Sequence, residues 1–143
     1  MSKVLIVDDE RSIRHTLRDI LEFEKYEVDE ACDGMEALVK IKQSHYDVII
    51  LDIKMPKMDG MDALDRIQEI ARETPVVMIS GHASIDTAVE AVKKGAFDFI
   101  SKPPDLNRLL ITLRNAMDKS ELITERKVLQ TKVSNTRFQP IVG

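Results

Sequence analysis

The chain has 143 residues, 43% hydrophobic and 32% charged, which suits one globular domain with a core of its own. A net charge of −4, no tryptophan and few aromatic rings argue against a nucleic-acid surface built on basic patches and base stacking. No apolar run approaches a membrane span, no secretory signal pattern opens the chain, and the single Cys32 excludes an internal disulfide, so a cytoplasmic location is expected.

Lys3 to Val7 is the first short apolar run, and it ends on Asp8, Asp9 and Glu10. Runs this short and rich in β-branched residues read as strands buried on both faces. Ser12 then stands as a helix N-cap, and Ile13, Leu17, Ile20 and Leu21 follow at helical spacing to about Glu24. Tyr26 and Val28 open a second, more polar strand that ends near Ala31. Cys32 beyond it is expected to be partly buried. Asp33-Gly34 punctuates the chain, and Ala37, Leu38 and Ile41 mark a helix ending near Gln43.

Val48 to Leu51 is the third strand, running straight onto Asp52. Pro56 and Asp59-Gly60 turn the chain, and Met61, Leu64, Ile67, Ile70 and Ala71 mark a third helix, stopped by Thr74-Pro75. Val76 to Ile79 is the fourth strand and ends on Ser80-Gly81. Ile85, Ala88, Val89 and Val92 give a fourth helix closed by Gly95. Phe97 to Ile100 is the fifth strand, followed by Ser101, Lys102, Pro103 and Pro104. Leu106, Leu109, Leu110, Leu113 and Met117 begin a fifth helix. From Asp118 to Val133 the chain is polar and helix-prone, with Leu122, Leu129 and Val133 at heptad spacing, and reads as a long helix able to pair with a second copy.

Strands alternating with helices predict an α/β fold with a doubly wound five-stranded parallel sheet. The polar second strand belongs at an edge, which fits the order 2-1-3-4-5 with its switch point between strands one and three. Ligands in such sheets bind beyond the carboxyl ends of the strands. Those ends carry Asp8 and Asp9, Asp52, Ser80 and Lys102. Carboxylates gathered there would repel one another unless a cation intervened, and oxygen donors with room for water suit Mg²⁺. A cation, the Lys102 ammonium and the Ser80 hydroxyl around Asp52 would make a cradle for a transferring phosphoryl group, with Asp52 as nucleophile.

The segments LIVDDE at Leu5 to Glu10, LDIKMPKMDG at Leu51 to Gly60, MISG at Met78 to Gly81 and FISKP at Phe99 to Pro103 resemble a bacterial two-component response-regulator receiver domain. The resemblance implies that Asp52 is phosphorylated by a sensor histidine kinase. It implies Mg²⁺ held by Asp9, Asp52 and the backbone carbonyl of Lys54, with Asp8 helping through water. It further implies a phosphate contact from Lys102, a cis Lys102–Pro103 bond, and switching by Ser80 and Phe99. The segment from Gly81 to Pro103, the long last helix and the closing FQPIVG are similar to nitrogen-regulatory-protein-C-like, sigma-54-dependent activators. On that likeness residues 1–117 are a receiver, 118–137 a linker helix with a possible coiled coil, and 138–143 the start of an AAA+ ATPase. A homodimer through the C-terminal helix is expected, with no membrane contact and no direct nucleic-acid binding by this fragment.

Two other functions compete. An aspartyl-phosphate phosphohydrolase would need a second acid two residues after the nucleophile, and Lys54 stands there. A phosphate-independent interaction domain would have no use for the combined set of acids, Ser80 and Lys102. A regulatory phosphoacceptor, rather than an enzyme, is the expectation.

Overall fold

Five strands and the helices between them follow the chain in strict alternation. They are β1 (Lys3–Val7), α1 (Arg11–Phe23), β2 (Glu27–Ala31), α2 (Gly34–Gln43), β3 (Val48–Asp52), α3 (Gly60–Ile70), β4 (Val76–Ser80), α4 (Ile85–Lys93) and β5 (Asp98–Ser101). A last helix, α5, occupies residues 106–118. The structure, a computed structural model, describes residues 2–55, 57–81, 84–102 and 105–118. The Lys102–Pro103 bond, the long C-terminal helix with its pairing seam and the closing segment lie outside the described residues.

The sheet is parallel throughout in the order β2-β1-β3-β4-β5, so the polar second strand does lie at an edge. Side chains alternate across each strand. Leu5, Val7, Ile49, Leu51, Val76 and Met78 face one way and pack with Ala37 of α2, Ala63, Leu64 and Ile67 of α3, and Ala91 of α4. Val4, Ile6, Val48, Ile50, Val77, Ile79 and Ile100 face the other way and pack with Leu17 and Leu21 of α1 and Leu109 and Leu113 of α5. Each buried Ile, Val or Leu contributes about 1.5–3 kcal/mol. The burden of stability therefore falls on β1, β3 and β4, which are covered on both faces, and the mouth of the site opens at their ends.

Local signals start most helices where expected. Asp33, Asp59 and Ser84 cap α2, α3 and α4, each accepting a main-chain N–H with its side chain. Gly95, at φ +105°, follows the end of α4, a backbone conformation that a residue with a Cβ rarely adopts. Three readings are corrected. Ser12 is not the cap of α1, because Asp8 Oδ1 accepts the Glu10 N–H at 2.9 Å and bends the chain directly off β1, so the helix has already begun at Arg11. Helix α3 ends at Ile70, ahead of Thr74-Pro75, with the Ala71 N–H closing on Ile67. Cys32 is exposed, since it follows the last residue of an edge strand, and its N–H bonds to Glu36 of α2 at 2.7 Å without the helix covering its side chain.

The loop after β3 is held by backbone contact. The Gly60 N–H donates to the Ile53 carbonyl at 2.7 Å. A Cβ at position 60 would lie 2.2 Å from the Asp52 carbonyl oxygen and 2.6 Å from Ile53 Cα. The same loop keeps Lys57 at φ 69°, a left-handed conformation that costs a non-glycine residue about 1–2 kcal/mol. The close seating of Gly60 against β3 offsets that cost. Gly60→Ala should therefore lower the unfolding free energy by about 2–3 kcal/mol or more, read from urea unfolding. A variant as stable as the parent would show that the loop yields freely.

Candidate functional site

Parallel strands of similar length end together, and the register decides which residues meet there. Val7 lies opposite Leu51, so Asp8 follows β1 beside Asp52. Ser80 lies opposite Ser101, so Lys102 emerges just past the end of β4. The extra step is fixed by main-chain bonds: the Asp8 N–H donates to the Ala31 carbonyl at 3.1 Å and the Lys102 N–H to the Ser80 carbonyl at 2.9 Å.

These elements bring one ammonium between two carboxylates. Lys102 Nζ donates to Asp8 Oδ2 at 2.9 Å and lies 3.2 Å from Asp52 Oδ1. Asp8 and Asp52 are 2% and 4% exposed, so each charge is almost entirely removed from water and needs its partner. The other oxygen of Asp8 accepts the Glu10 N–H, so both oxygens of that carboxylate have a partner. Asp9, Glu10, Asp52, Lys54, Gly81 and Lys102 line a cleft of about 260 Å³ at this edge.

The Asp52 carboxyl is pushed up to about 6: burial raises it most, the Asp8 charge adds, Lys102 pulls it back, and Asp9 adds a smaller upward push. Burial works to lower Lys102, yet its hydrogen bond to Asp8 and the charges of Asp8 and Asp52 outweigh it, and the ammonium is held above its ordinary value. Lys102 therefore stays protonated across the physiological range, while Asp52 ionises around pH 6, at the lower edge of that range.

Carboxylate oxygens of Asp8, Asp9 and Glu10 lie within 4.8 Å of one another. This donor set is all oxygen, without imidazole or thiolate, and suits a hard divalent cation such as Mg²⁺ or Ca²⁺ over zinc. Asp52 is joined to the cluster through Lys102. Lys54 lines the cleft with its side chain exposed. Ser80 is buried at the end of β4, with Gly81 at the rim. Phe99 is buried on β5, opposite Met78, within the core that α4 covers.

Sequence reasoning assigned no role to Glu10 or Arg14. Glu10 joins the two aspartates because the chain turns at Asp8. Arg14, four residues after Glu10 and one helical turn on, reaches back so that its Nη1 donates to the Asp8 carbonyl at 2.7 Å. Helical spacing could have signalled its return to the strand end, but the partner on another strand could not be read from spacing.

The sequence matches the response regulator receiver domain over residues 4–114. It is similar to the nitrogen assimilation regulatory protein NtrX of Azorhizobium caulinodans, 42% identical over 129 residues that cover 89% of this chain and 28% of that protein. It is also similar to the regulatory protein AtoC of Escherichia coli K12, 35% identical over 136 residues, 95% of this chain and 30% of that protein. The chain thus spans under a third of the length of these curated relatives. A solution structure of the beryllofluoride-activated NtrC4 receiver domain dimer is 45% identical, with a TM-score of 0.80 over 84% of this chain and 99% of that one.

The raised Asp52 value has a stability consequence. An acid that is harder to ionise when folded holds its proton more tightly in the native state, so the fold loses stability as pH rises from about 4 to about 6. In metal-free buffer Asp52→Asn should be more stable than the parent at pH 7, by up to about 3 kcal/mol, with the advantage fading below pH 4. Urea unfolding at both pH values measures it; a variant less stable than the parent at pH 7 contradicts the assignment of the strain to this charge.

Proposed function

This chain belongs to the response-regulator receiver family, among regulators of the nitrogen-regulatory-protein-C kind, and on that premise we propose that it is a phosphorylation switch with Asp52 as acceptor. The observation that carries the reading is the buried Asp52 carboxylate, joined by one lysine to a second buried acid at the mouth of a cleft.

The donor is the phosphohistidine of a sensor histidine kinase. An ionised oxygen of Asp52 attacks phosphorus in line, the P–N bond breaks, and its electron pair stays with the imidazole, which takes a proton from solvent. Lys102 holds Asp52 ionised beforehand and stands near enough to pair with a phosphoryl oxygen afterwards. Ser80 supplies a hydroxyl to another oxygen as it moves, and the ring of Phe99 follows it. Asp9, Asp52 and the Lys54 carbonyl would hold Mg²⁺, with Asp8 helping through water, and the ion would neutralise charge on the transferring oxygens.

In this reading residues 1–117 are the receiver, 118–137 a linker helix and 138–143 the first residues of an AAA+ ATPase that the switch controls in transcription activation. The share of the relatives' length that is covered, about 30%, supports a further module in the whole protein. The exposed Ile85, Val89 and Val92 on α4, and the dimer named for the NtrC4 receiver, support pairing with a second copy alongside the C-terminal helix. The function is regulatory and cytoplasmic, without turnover of a separate substrate.

Incubation with acetyl phosphate and Mg²⁺ should add one phosphoryl group by intact mass. Asp52→Asn should add none, and omission of Mg²⁺ should sharply lower the yield. Equal labelling of Asp52→Asn sinks the acceptor assignment.

A further inference from the structure

Arg14 lies in α1 just past the cleft, and its guanidinium joins two parts of the sheet. Nη1 donates to the Asp8 carbonyl at 2.7 Å, while Nε donates to Glu30 Oε1 on β2 at 3.0 Å. Glu30 is itself held at both ends: Arg18 donates to its other carboxylate oxygen, and Lys40 of α2 donates to its main-chain carbonyl. The side chains of Arg14 and Glu30 are only 14% and 23% exposed, so this pair is drier than an ordinary surface ion pair. Neither residue is among those lining the cleft.

The carbonyl that Arg14 grips belongs to the peptide between Asp8 and Asp9. A peptide is planar, so fixing the direction of its C=O fixes the plane and with it the departure of the chain toward Asp9 and Glu10. We propose that Arg14, clamped by Glu30, is a positioning residue that aims the Asp9 carboxylate at the cation site, with the turn through Glu10 set by the same peptide. The inference rests on the Mg²⁺ site of the proposed function.

Charge and position make opposite predictions here. A guanidinium beside three carboxylates repels a cation, so on charge alone its removal tightens Mg²⁺ binding. A positioning role gives the reverse sign, because loss of an outer partner that orients metal ligands typically weakens binding 10–100-fold.

The test is a Mg²⁺ titration of the unphosphorylated chain, followed through the Asp9 and Glu10 amide NMR signals. Parent, Arg14→Ala, Arg14→Lys and Glu30→Gln are compared. Arg14→Ala should bind Mg²⁺ about tenfold more weakly. Arg14→Lys, which keeps the charge but loses the forked donor geometry, should recover little of that. Glu30→Gln should weaken binding in the same direction. Unchanged or tighter binding by Arg14→Ala overturns the proposal. If that variant fails to fold, Glu30→Gln decides, and a parental affinity overturns it. A parent that binds no Mg²⁺ at these carboxylates overturns the cation site itself and the proposal with it, an outcome distinct from a parent that binds and a variant that binds equally.

Discussion

An ionised carboxylate at the end of a strand buried on both faces would cost several kcal/mol if left alone. Asp52 is in that position, and the ammonium of Lys102, shared with Asp8, is what makes the charge tolerable. One cation between two buried anions does not settle the balance fully, and Asp52 is left with its carboxyl near 6. The site is therefore under electrostatic tension as built. A further positive charge, or a change in what Asp52 carries, alters that tension directly, which is the property a switch requires.

The tension can exist only because of how the strands are aligned. Side chains of a strand alternate, so a slip of one residue in β3 would turn its Ile and Leu side chains from one helix layer to the other. Two-sided burial of β1, β3 and β4 leaves no such freedom. With Val7 opposite Leu51 and Ser80 opposite Ser101, Asp8, Asp52 and Lys102 meet as a result of core packing. Gly60 adds a second constraint, since its backbone rests against the Asp52 carbonyl where no side chain fits.

What could be read in the sequence follows the same division. The strands were legible because each is a short apolar run, and the polar β2 betrayed its edge position. Asp8, Asp52, Ser80 and Lys102 were legible because they stand directly after those runs, where topology alone brings them to one edge. Ser12 misled because a capping residue in sequence does not reveal that Asp8 has already bent the chain for the helix. Cys32 misled because burial at the end of an edge strand depends on which helix covers it. The Arg14–Glu30 pair spans α1 and β2 and obeys neither helical nor strand period, so only the packed structure discloses it. Sequence pattern carries what the core determines; contacts between polar side chains of separate elements need the fold first.

The attachment of α4 among the described residues bears on where the proposed change at Asp52 would be expressed. Its C-terminal end is tied to α3 twice, by Lys94 Nζ on Asp65 at 2.9 Å and by Gln68 Nε2 on the Gly95 carbonyl at 3.3 Å. Its N-terminal end is held by its own cap, Ser84 to the Thr87 N–H, a bond within the element that moves with it. The first turn carries Ile85, which is 83% exposed and so adds little packing to resist displacement. Ser80 and Phe99 lie on the strands beneath, on the side nearer that loose end for Ser80 and in the core under the helix for Phe99. Under the proposed switch, the contacts among the described residues favour displacement at the start of α4 over its end, a pivot about the Lys94–Gly95 anchor. Such a pivot would redirect the exposed Ile85, Val89 and Val92 together, because a helix moves as a rigid rod, and would change the apolar face offered to a partner while leaving the sheet intact.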